Sequence, residues 1–166
     1  MPETLGPPLG SWTDQWNRVQ LGLGRVEAIY RGRPEPEGTA GALYDLFAFF
    51  VNCYHLCDWI DQDPDVPQLV SDGARRLVST SDELKICGDL ANRSKHSALA
   101  RPAKTGDKST GPTSNDVTIV VGQDDVRHAF RVSSGETERD ALALATACVA
   151  SWRDFLEQHD LADAID

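Results

Sequence analysis

The sequence predicts a mainly α-helical protein, an antiparallel four-helix-type bundle with a β-hairpin inserted before the last helix. Three observations carry that expectation. Apolar residues recur at alternating steps of four and three over long stretches, the signature of amphipathic helices. Proline- and glycine-rich strings break those stretches at regular points. After residue 116 the helical period gives way to two runs of β-branched and aromatic residues. With 166 residues, 40 % of them hydrophobic and 25 % charged, the chain suits one domain with a real core rather than a disordered polymer.

Met1 to Gly10 holds three prolines and two glycines and reads as a disordered leader to a single domain over 11–160. Trp12, Trp16, Val19, Leu23, Val26 and Tyr30 mark the first amphipathic helix, which ends at Arg31-Gly-Arg-Pro. The second, from about Thr39 to Ile60, has apolar residues around most of its circumference, so it is expected to be the central helix. Asp61-Gln-Asp-Pro stops it. Asp65 to Val78 suits a shorter helix, and Thr80-Ser-Asp-Glu83 is a capping-box pattern opening the third long helix, to about His96. Residues 101–115 read as a mobile loop and 117–132 as a hairpin around Gly122-Gln-Asp-Asp125. The last helix is expected from about Thr137 to His159.

The formal charge of −10 opposes binding to nucleic acid or anionic membrane over most of the surface. One segment is an exception. Residues 85–108 contain Lys85, Arg93, Lys95, Arg101, Lys104 and Lys108 against only Asp89 and Asp107, a local +4 that would suit RNA. No apolar run approaches the ~18 residues of a membrane span, and no signal-peptide plan is present, so no membrane association and a cytoplasmic setting are expected. Cys53, Cys57, Cys87 and Cys148 fall in predicted helices, on or beside apolar faces, and read as buried reduced thiols. A zinc site built from them would need three helices to converge without any C-x-x-C pair, so no metal is assigned to them.

Chemistry-bearing residues concentrate on helices two and three. Asp58 interrupts an apolar stripe, three residues after His55 and near a helix C-terminus, where the dipole disfavours an anion. Lys85, Asp89, Asn92 and His96 fall in one narrow stripe of the third helix. If the chain turns back between 65 and 78, the third helix can run parallel to the second. His55 and Asp58 would then meet Asn92 and His96, with the two imidazoles within about 8 Å.

The strings Asn52-Cys-Tyr-His-Leu-Cys-Asp-Trp59 and Asp89-Leu-Ala-Asn-Arg-Ser-Lys-His96 resemble paired segments of small, uncharacterised bacterial proteins. That resemblance implies one site comprising His55, Asp58, Asp89, Asn92, Lys95 and His96. The bundle also resembles the HEPN superfamily, which includes metal-independent ribonucleases of toxin–antitoxin and phage-defence systems. Their Arg and His are separated by four to six residues. Arg153 and His159 fit that pattern, whereas Arg93 and His96, with two residues between them, depart from it.

Three readings of function stay open. One is a HEPN-like RNA-cutting or RNA-binding protein contacting RNA through 85–108. The second is a non-catalytic helical interaction module, docking a protein partner or a second copy. The third is a metal-dependent hydrolase or sensor using His55, Asp58, Asp89 and His96, whose ligand types suit zinc or iron. The sequence itself names no cofactor.

Overall fold

A computed structural model describes residues 10–95, 103–107, 109–119 and 124–162. Five helices and four short strands follow in the order α1 (Trp12–Arg31), β1 (Arg33–Pro34), α2 (Thr39–Gln62), α3 (Gln68–Thr80), α4 (Asp82–Lys95), β2 (Gly111–Ile119), β3 (Asp125–Ser134), β4 (Thr137–Asp140) and α5 (Ala141–Gln158). The mainly helical expectation holds, but the expected hairpin is part of a four-stranded antiparallel sheet. β3 pairs along β2 on one side and with β1 and β4 on the other. β2 starts at Gly111, six residues before the expected edge, because Pro-Thr-Ser-Asn-Asp carries no apolar alternation to betray it. The leader, apart from Gly10, and residues 96–102 of the helix end and loop lie outside the described residues.

α1 and α2 are antiparallel. Trp12 N–H donates to Asp63 Oδ2 (3.2 Å), Gln15 Nε2 to the Asn52 carbonyl (2.8 Å), and Arg25 faces Asp45. Gly22 lets the two helices approach, since a Cβ there would stand 3.3 Å from the Phe49 ring. Asp63 also accepts the Asp65 N–H through Oδ1 (3.0 Å), so one carboxylate satisfies donors at a helix start and in the following turn. Gly32 closes α1 with φ +104°, a conformation that favours glycine.

The break between α3 and α4 is a single residue. Ser81, not Thr80, is the N-cap of α4: its Oγ accepts the Leu84 N–H at 3.2 Å, while the Thr80 hydroxyl bonds back to Arg76 within α3. The core is continuous and aromatic-rich, with Trp16, Trp152, Phe49, Phe50 and Phe130 almost wholly buried. Among the described residues no helix is long and apolar enough to cross a membrane.

Tyr30 joins the sheet to the helices. Its hydroxyl donates to the Phe130 carbonyl (3.0 Å) and accepts the N–H groups of Phe130 (3.0 Å) and Leu142 (3.3 Å). Burial, with Asp140 nearby, pushes its pKa up to about 12, so it keeps the proton it donates.

His128 reads from the sequence as an exposed strand residue. It is instead 1 % exposed. The period of two explains why: His128, Phe130 and Val132 form the inward series of β3, and the His128 and Phe130 rings stack with centroids 5.7 Å apart. Burial lowers its pKa; Glu35 acts against the shift and Arg33 with it. The unfolded chain binds the proton near pH 6.5 while the folded chain binds it only at lower pH. The stability contribution is therefore complete above about pH 6.5 and is lost as pH falls below it. Urea unfolding at pH 7.5 and 5.0 should show that loss, and His128→Phe should reduce it; equal pH dependence in both proteins would refute it.

Candidate functional site

The residues expected to form one site fall into separate environments. On α2, His55 Nδ1 lies 2.7 Å from Asp58 Oδ2 across less than one turn, and the Tyr54 and His55 rings meet edge-on. The pair borders a cavity of about 470 Å3 with Gly10, Trp59 and Gln62. A carboxylate bonded to one imidazole nitrogen is how a general base is oriented. The Asp58 side chain is 56 % exposed, however, so water competes for that bond.

Asp89, on α4, does something different. It is fully buried, and its carboxylate accepts the Lys104 N–H (2.7 Å), the Thr105 N–H (3.0 Å) and the Thr105 hydroxyl (2.6 Å). The expected polar stripe of α4 is thus neither a solvated face nor a catalytic wall at this position. It anchors the segment that leads into β2. Lys104 continues over Gly88 to lie above the Tyr54 ring, with Nζ 5.0 Å from its centroid.

The direction of α4 corrects the expected geometry. Cys87 Sγ donates to the Phe50 carbonyl (3.3 Å), Gly88 abuts Tyr54, and Arg93 and Ser94 share a cavity with Tyr44, Phe47, Ala48 and Val51. α4 therefore runs towards the N-terminal half of α2, opposite to the parallel arrangement that would bring Asn92 beside His55. The cause is the single-residue turn at Ser81. α3 crosses the end of α2, where the Ser71 hydroxyl bonds the Ile60 carbonyl, so α4 begins there and can only run back. Asn92 is half-buried, Lys95 ends α4, and His96 lies outside the described residues, as therefore does its distance to His55.

Arg153 and His159 share α5 and its C-terminal cap. Arg153 is exposed; His159 packs on Phe155 with ring centroids 4.5 Å apart and borders Gly73. A six-residue step sets them about 9 Å apart along the axis.

The densest chemistry-bearing cluster is one that sequence reasoning set aside. Cys53 of α2, Cys87 of α4 and Cys148 of α5 are each 0 % exposed, and their Sγ atoms all lie within 4.8 Å of one another. Three helices do converge on thiols without a C-x-x-C pair. Cys148 Sγ reaches the Glu83 carbonyl at 3.5 Å, and the Trp152 indole N–H bonds the Cys53 carbonyl at 3.2 Å. Burial raises the Cys87 and Cys148 thiols well above their usual range. Burial acts the same way on Cys53, but side-chain interactions with Cys148, Cys87 and Trp152 outweigh it and turn the net direction downward. Cys57 stands outside the cluster, raised to about 11 by burial and by Asp58 and Asp61. All four are free thiols. The only sequence signal was that each lies on the apolar side of a different helix.

No protein-family model matches this chain, and comparisons with curated proteins and with solved structures found no match either.

Proposed function

We propose that the chain is a non-catalytic helical interaction module that takes an amphipathic helix of a protein partner into a groove between α2 and α4. One observation carries the reading. Tyr44, Phe47, Ala48 and Val51 follow the i, i+3, i+4, i+7 spacing of a helix-packing stripe, yet among the described residues they line a cavity of about 630 Å3 that Arg93 and Ser94 of α4 only border. Tyr44 is 74 % exposed, an unusual position for a large aromatic residue at the head of an apolar row. Arg93 closes one end. Its Nη1 donates to the Ser109 and Thr110 carbonyls. An apolar floor with a cation at its rim, shared with Asp107, suits a helix presenting leucine-type anchors and one acidic residue.

Two facts favour binding over cutting of RNA. Within the basic segment, Arg93 and Lys104 are directed to carbonyls and to an aromatic ring of this chain. The Asp89 carboxylate, for its part, is taken up by the Lys104 and Thr105 donors.

The test is a titration with a synthetic helical peptide carrying Leu at i, i+3, i+4 and i+7 and one Glu, followed by amide and methyl chemical shifts. Shifts should centre on Tyr44, Phe47, Val51 and Arg93, with Tyr44→Glu weakening binding at least tenfold while leaving the circular dichroism unchanged. Shifts confined to other surfaces would overturn the reading. So would a dimer by sedimentation whose interface covers the stripe.

A further inference from the structure

We propose that the three buried thiols of Cys53, Cys87 and Cys148 form a binding site for a trivalent thiophilic metalloid, with arsenite as the representative ligand. The site is independent of the groove on α2.

Geometry admits a three-coordinate centre. The sulfurs lie no more than 4.8 Å apart, and a pyramidal trivalent centre bonded to each at about 2.3 Å needs edges of about 3.5 Å. Small side-chain rotations close the difference. The three ligands come from three different helices, so a bound atom would staple α2, α4 and α5 together at the centre of the core.

Coordination number excludes the commoner tetrahedral occupants. Among the described residues no fourth cysteine, histidine or carboxylate joins the cluster. Zinc would be left a ligand short.

Charge then selects among three-coordinate ions. Three thiolates carry three negative charges, which a monovalent ion reduces to two and a divalent ion to one. A trivalent centre leaves none. The Phe50 and Glu83 carbonyl oxygens lie 3.3 and 3.5 Å from Cys87 Sγ and Cys148 Sγ, and their dipoles make a residual negative charge worse. A net charge buried without a partner is strongly disfavoured, so the neutral complex is the one that this core can hold. The binding step balances without any redox agent: arsenous acid, As(OH)3, and three S–H groups give As(S–Cys)3 and three waters. Three As–O and three S–H bonds break, three As–S bonds form, and each thiol proton leaves on a hydroxyl as water.

The test uses the reduced full-length chain titrated with sodium arsenite. One equivalent should bind, with three As–S bonds by X-ray absorption and a rise in Tm of several degrees as binding draws on the folded state alone. Cys57→Ala should bind as the wild type does. Cys148→Ala should lower the affinity at least a hundredfold, with circular dichroism to confirm that it folds. The wild-type absorption spectrum decides the matter even if that variant does not fold. No uptake, an As–S coordination number of two, loss of binding in Cys57→Ala, or tighter binding of zinc than of arsenite would each overturn the proposal.

Discussion

Trp152→Ala should cost about 3–5 kcal/mol, the range for emptying a fully buried tryptophan site. The indole is 0 % exposed, meets Phe155 edge-to-face with centroids 5.8 Å apart, and donates its N–H to the Cys53 carbonyl at 3.2 Å. A domain of this size is stable by only about 5–15 kcal/mol, so the loss is a large share of the total. Trp152→Phe keeps most of the apolar volume but not the donor, and should cost about half as much. Denaturant unfolding of both variants checks the ordering. Equal costs would mean that the indole N–H, rather than the volume, dominates.

The second large effect is at Asp89. Asp89→Ala should destabilise the chain by about 2–3 kcal/mol, because it removes a buried carboxylate that accepts the Lys104 and Thr105 N–H groups and the Thr105 hydroxyl. Asp89→Asn retains a carbonyl oxygen and should recover part of that. Amide exchange at Lys104 and Thr105 should accelerate in the alanine variant before the helices are affected. Unchanged stability together with unchanged exchange would show that Asp89 is not an anchor, and would return it to the list of functional groups.

How far the sequence reads depends on which physical scale sets each feature. α1, α2 and α5 follow from local periodicity, and the stop of α2 before Pro64 and a new helix start beside Thr80 follow from short-range effects, although the cap is Ser81 and not the expected Thr80. β4 escaped because Thr-Glu-Arg-Asp has no apolar alternation; it sits where a polar helix start is equally plausible, and Asp140, not Thr137, is the residue that caps α5 by accepting the Ala143 N–H at 2.9 Å. Asp89 and the thiol cluster are tertiary facts. A buried carboxylate on α4 and an exposed one share the same local pattern, since the donors that Asp89 satisfies are 15 and 16 residues away. Likewise Cys53, Cys87 and Cys148 each look like an ordinary small apolar residue until three helix axes are brought together.

The Tyr30 hydroxyl has a consequence for how the sheet can misfold. β1 covers β3 at Asp125 and Val126, and β4 covers it from Arg131 to Ser134, which leaves the stretch between them without a strand on that side. Into that gap Tyr30 inserts one oxygen that bonds both the N–H and the carbonyl of Phe130, much as a neighbouring strand would. A single atom thus acts as an index pin. Sliding β3 by one residue would turn His128, Phe130 and Val132 out of the core, and sliding it by two would leave the pin facing the wrong peptide unit. Because the same oxygen also holds the first turn of α5, a slipped sheet would cost the last helix its seat, and the two errors could not occur separately.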